Sequence, residues 1–84
     1  MSPEELSTME AEKTVDARGT ACPGPLLEAK RGITQVPLGG IMEVLSSDPS
    51  TNNDIPLWAE KVGHDFLGTV EEAGFWRLFL KRRR

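Results

Sequence analysis

Cys22 is the only cysteine in a chain of 84 residues, and it stands in Cys22-Pro23-Gly24-Pro25, directly ahead of a segment with helical periodicity. That spacing predicts a sulfur at a helix N-terminus, where the first N–H groups lack intrahelical partners and the macrodipole is positive, so thiolate is favoured over thiol. A thiol with a depressed pKa is a nucleophile at neutral pH. Pro23 suits the position because a helix tolerates proline in its first turn, and Pro25 falls in the same turn. Gly24 leaves the approach to the sulfur free of a bulky neighbour. A lone cysteine is otherwise commonly a small buried hydrophobe, and the flanking prolines argue against that here.

Other chemistry is scarce. A cysteine nucleophile normally works beside a general base, and the sole histidine, His64, lies two elements further along, where a helix C-terminus accounts for it. Asp48, Thr51 and Asp54 resemble hard-metal ligands, but turn formation and helix capping account for all three, so no metal site is expected. No serine triad or glycine-rich phosphate loop is present. What remains is one activated sulfur on a small domain, with no second thiol to resolve it. That describes a carrier, which takes a sulfur as its own persulfide and passes it on by thiol exchange. Gly19 is expected to shape the loop that approaches the sulfur, and Arg18 to add positive potential beside it.

Length and charge narrow the setting. The chain is long enough for one domain but too short to wrap a deep pocket around a substrate. One cysteine allows no internal disulfide and fits a reducing cytoplasm. No stretch approaches the roughly twenty apolar residues of a membrane span. The net charge is -3, with Glu4, Glu5, Glu10 and Glu12 at one end and Lys81, Arg82, Arg83 and Arg84 at the other. This balance gives no broad footprint for nucleic acid, and the basic tail reads as a solvated end.

The elements that must position Cys22 follow from periodicity. Residues 1–12 are polar and contain Pro3, so a flexible extension is expected there, with a single domain over 13–84. A short strand through Val15 leads by Arg18-Gly19-Thr20-Ala21 to Cys22 and a helix running to about Gln35, whose apolar stripe is Leu26, Ala29 and Ile33. Ile41 to Ser46 reads as a buried strand. A second helix begins at Thr51, with Asp54 at capping-box spacing, or at Asp54 itself because of Pro56; its stripe is Ile55, Trp58, Ala59 and Val62, and Gly63 ends it. Asp65 to Glu72 and Phe75 to Lys81 form a hairpin through Ala73-Gly74. The order β-α-β-α-β-β gives a two-layer α/β (α+β) sandwich, a mixed four-stranded sheet with two helices on one face.

Over residues 14–82 the sequence resembles the TusA/SirA family of sulfur carriers. The likeness rests on Val15-Asp16-Ala17 and Gly19, on Cys22-Pro23-Gly24-Pro25 as the family's Cys-Pro-x-Pro, and on Asp48-Pro49, Thr51, Asp54-Ile55-Pro56 and Gly63-His64 in the same order. The resemblance implies a fold like the C-terminal domain of translation initiation factor three. It implies a covalent persulfide on Cys22 with no cofactor, a cysteine desulfurase or rhodanese as donor, and a DsrE-like acceptor. The destination is tRNA thiolation, molybdenum cofactor synthesis or oxidative sulfur metabolism, reached through protein relays without direct RNA binding. The free chain is expected to be a monomer. Some relatives carry another cysteine in the second helix, where this chain has Trp58-Ala59-Glu60, so an internal disulfide mechanism is excluded. The rival expectation is a regulatory or redox-sensing interaction module, whose cysteine accepts oxidant rather than persulfide sulfur.

Overall fold

A computed structural model describes residues 3–21 and 23–84. Helix α1 (Pro3–Ser7) precedes strand β1 (Lys13–Asp16), helix α2 (Gly24–Ile33), strand β2 (Ile41–Ser46), helix α3 (Thr51–Val62) and the hairpin of β3 (Asp65–Glu72) and β4 (Phe75–Lys81). The strands form one mixed sheet in the order β1-β2-β4-β3. β1 runs parallel to β2, and β4 is antiparallel to both its neighbours. Among the described residues no helix is long and apolar enough to cross a membrane.

The period of two in the strands decides what each face carries. Met42 and Val44 of β2 lie opposite Leu80 and Leu78 of β4, and Val15 of β1 lies opposite Val44. These residues meet Ala29 and Ile33 from α2 and Ile55 and Ala59 from α3 in the main core, with Leu26, Trp58, Phe66 and Trp76 at its margin. Burying one stripe from each helix against one sheet face is what the amphipathic patterns require. Val62, placed on the α3 stripe by its spacing, is exposed instead, as the last residue of the helix before its Gly63 cap.

Two expectations are corrected. Residues 1–12 show no periodicity, yet Pro3–Ser7 form one helical turn that buries Leu6 on the other sheet face, with Val70 and Phe79. One leucine in a single turn leaves no repeat to read. The basic tail ends exposed at Arg83 and Arg84, but Arg82 and Arg83 are tied back to the domain. The Arg82 guanidinium donates to the carbonyls of Val36 at 2.7 Å and Thr34 at 3.4 Å, just past the C-terminus of α2. Arg83 Nε donates to Asp65 Oδ2 at 2.7 Å. Cations at carbonyls beyond a helix C-terminus complement its dipole.

The helix and sheet layers approach closely at Gly32. A Cβ there would lie 2.5 Å from Val15 Cγ2 and 3.2 Å from Met42 Sδ. Alanine in a helix interior normally gains about 1 kcal/mol over glycine, but forcing an extra carbon into a packed core costs about 1–3 kcal/mol. Gly32→Ala is therefore expected to lower the urea midpoint. A raised midpoint would mean that α2 and β1 are not in this contact.

Candidate functional site

Because β1 and β2 are parallel neighbours, their C-terminal ends emerge together, and the loops that follow them lie side by side. The Ala17 N–H donates to the Leu45 carbonyl at 2.8 Å, and the Gly19 N–H donates to Ser47 Oγ at 2.9 Å. Between the loops is an open cleft of about 350 Å³, lined by Gly19, Thr20, Ala21, Ser47, Asp48 and Pro49. The crevice at the carboxyl ends of parallel strands is where α/β sheets commonly bind and react.

Each loop is held by its own chemistry. Gly19 has φ of +84° with open space where a Cβ would stand, so the backbone turn and not crowding requires glycine. Thr20 Oγ1 donates to the Ala17 carbonyl and tightens that turn. Across the cleft, Asp48 Oδ1 accepts from the Ser50 N–H at 3.0 Å and from its hydroxyl at 2.9 Å. Thr51 does not cap α3. Its hydroxyl turns inward to a buried hydrogen bond of 2.8 Å with Ser46 Oγ, which also accepts the Asp48 N–H at 3.1 Å. Ser50 is the N-cap instead, and α3 is regular from Thr51 despite Pro56 inside it.

Cys22 lies outside the described residues. The residue after it, Pro23, is the N-cap of α2, and Pro25 is buried at the second helical position. Neither proline has an N–H. The Gly24 N–H donates to the Ala21 carbonyl at 2.8 Å, and the Leu27 N–H to the Pro23 carbonyl at 3.0 Å. The start of α2 therefore offers the field of its dipole more than a row of unused donors. Gly24 has a packing role too, since a Cβ there would meet Thr20 Cβ at 3.0 Å.

Arg18 is not an unpaired charge beside the loop. Its Nε and Nη2 donate to the two carboxylate oxygens of Asp16, each at 2.9 Å, and its guanidinium lies 4.8 Å from the centre of the Phe75 ring. The Arg18 hydrogen bonds hold the Asp16 carboxyl down at about 2. Arg18 thus braces the loop, with its charge largely neutralised by its own neighbour. Ser47 and Phe75 had no local signal in the sequence. One looked like an ordinary turn residue and the other like an alternating strand position.

His64 is elsewhere. It follows the C-terminus of α3, which at 1.5 Å per residue lies roughly 18 Å from the end that borders the cleft. Its Nδ1 accepts the Arg83 N–H at 3.1 Å, and its ring meets Trp58 edge-on at 5.8 Å. Burial, and then Arg82 and Arg84, push its pKa below the usual histidine range. No group of three His, Cys, Asp or Glu side chains among the described residues is arranged to hold a metal ion.

The described geometry is thus one cleft between the Gly19 and Asp48 loops, at the start of α2. Residues 13–82 match the family model described as Sulfurtransferase TusA. The chain belongs to the TusA family. It is 47% identical over 68 residues to a candidate sulfur carrier protein of Archaeoglobus fulgidus, covering 81% of this chain and 93% of the relative. It is 35% identical over 72 residues to the sulfur carrier protein TusA of Pseudomonas entomophila, covering 86% and 90%. A crystal structure of a SirA-like protein from Desulfitobacterium hafniense superposes with a TM-score of 0.74 at 22% identity, covering 86% of this chain and 99% of that one. This last likeness shows the fold alone. The TusA-family region includes both cleft loops and leaves α1 outside it.

Proposed function

We propose that this chain is a sulfur carrier that takes up persulfide sulfur on Cys22 and hands it to a partner protein. The observation that carries the reading is the convergence of the loop ahead of α2 with the Ser47-Asp48-Pro49 loop in one open cleft, in a chain of the TusA family. The cleft is open to solvent and shallow, which suits a site that must meet two proteins in turn rather than enclose a small substrate.

The chemistry is thiol–persulfide exchange. The Cys22 thiolate attacks the outer sulfur of a persulfide on the donor. A new S–S bond forms as the donor's S–S bond breaks, and the donor cysteine leaves with the electron pair as a thiolate. The proton on the transferred sulfur is exchanged with solvent, and no net oxidation or reduction occurs. Repeating the exchange with an acceptor thiolate returns Cys22 to its starting state. A cysteine desulfurase or a rhodanese fits the donor role and a DsrE-like protein the acceptor role, in the cytoplasm. The end use is tRNA thiolation, molybdenum cofactor synthesis or oxidative sulfur metabolism. The α2 dipole, the Gly19 turn and the Arg18 brace on either side of the motif support this reading.

The reading requires an accessible thiolate at neutral pH. Iodoacetamide should therefore alkylate Cys22 in the folded protein with a rate that titrates clearly below the free cysteine pKa of about 8.5. A rate that rises only above that value, or a thiol protected until the protein unfolds, would contradict it.

A further inference from the structure

The sheet has a second apolar face, and what covers it is the chain's own N-terminal segment. Phe79 and Val70 are buried there by Leu6, itself only 2% exposed, with Met9, Ile41 and Leu67 at the margin. The seat for Leu6 is specific. The ladder between β3 and β4 shifts register between Phe66 and Gly68, and a Cβ on Gly68 would lie 2.5 Å from Leu6 Cδ1. Any side chain at Gly68 would fill the hole that the leucine occupies.

The segment is tethered so as to stay over this face. The Glu12 N–H donates to the Ile41 carbonyl at 2.9 Å, and a Glu12 carboxylate oxygen accepts the Ile41 N–H. A tether of this length holds Leu6 and Met9 at a high effective concentration over the patch, although they are few. Both lie before residue 13, where the region shared with the TusA family begins. The cover therefore lies outside the matched region.

We propose that residues 3–9 are an intramolecular shield over the outer sheet face, and that when the shield is removed two copies of the chain associate through that face. The second copy is favoured as the occupant for two reasons. The patch borders β3, an edge strand of eight residues, so apolar surface and unpaired backbone groups would be exposed side by side, a combination that promotes self-pairing. Residues 1–11 also carry three glutamates and no basic residue, so losing them takes the net charge from -3 to 0 and removes mutual repulsion.

The test is light scattering across a wide concentration range on three proteins. The full chain should give its monomer mass of 9.3 kDa throughout. A chain lacking residues 1–11 and full-length Leu6→Asp should both rise towards twice the monomer mass as concentration increases. Leu6→Asp keeps the tether and adds a negative charge, so its association would report the exposed face and not the lost charge. A peptide of residues 1–12 added to the truncated chain should restore the monomer. Variants that stay monomeric with native circular dichroism would overturn the proposal, and so would a full chain that is already dimeric. Variants that no longer fold would overturn it too, by making the segment a part of the core rather than a shield.

Discussion

Replacing Cys22 by serine is expected to abolish transfer of sulfur from a persulfide donor to an acceptor thiol while leaving the fold intact. A serine hydroxyl is not ionised at neutral pH and forms no S–S bond, so no exchange is available to it. Transfer through the chain should fall by more than about 10³-fold, the scale on which removing a covalent nucleophile acts. Stability should hardly change. The proposed exchange needs an accessible side chain at this position, and a surface substitution of one small side chain by another usually stays within about 0.5 kcal/mol. A melting temperature within about 4 °C of the parent, beside lost transfer, is the expected pair of results. Retained transfer in the serine variant would remove Cys22 from the mechanism, whatever the family says.

The largest expected loss of stability is at Phe79, which is 0% exposed and joins the outer face of β4 to Leu6 and Val70. Truncating a buried phenylalanine to alanine costs about 3–5 kcal/mol, the lost transfer energy plus that of the cavity left behind. Domains of this size have net stabilities of about 0.05–0.15 kcal/mol per residue, so the loss is a large share of the total. At about 4–8 °C per kcal/mol, Phe79→Ala should melt more than about 12 °C below the parent, and Phe79→Leu, which keeps much of the volume, far less. The same change also removes the ring that the Arg77 guanidinium approaches at 5.2 Å. A small change in Phe79→Ala would mean that the outer cluster contributes little and that the main core carries the fold alone.

Periodicity placed the elements well where one face of each is buried. The alternation in Phe75–Lys81 was readable because Trp76, Leu78 and Leu80 pack on the helix side while Phe75, Arg77 and Phe79 point away. The end of α3 was readable at Gly63, whose φ of +86° a side chain rarely adopts. Contacts between residues far apart in the chain were not readable. Arg82 looked like a solvated tail because its acceptors, Val36 and Thr34, lie 46 and 48 positions earlier. The Thr51–Asp54 spacing fits a capping box, but Ser46 offered the Thr51 hydroxyl a buried partner from a different element.

The candidate site was legible in the same uneven way. The Cys-Pro-Gly-Pro motif and the glycine turn before it were visible as local chemistry, and Asp48-Pro49 as a separate turn. Only the parallel pairing of β1 with β2 brings those turns to one cleft. Arg18 was expected to supply positive potential, and its type alone supports that reading. The carboxylate two residues earlier and a ring from the hairpin make it a brace instead. Distant partners decide what a charged side chain contributes, and a single sequence does not display them.

The most direct test of the central claim is intact-protein mass spectrometry after incubation with a cysteine desulfurase and cysteine, or with a rhodanese and thiosulfate, followed by peptide mapping. The account predicts a gain of one sulfur atom, located on the peptide that contains Cys22, reversed by reductant and absent from Cys22→Ser. No gain from either donor in a protein whose thiol is readily alkylated, or a gain located elsewhere in the chain, would contradict it.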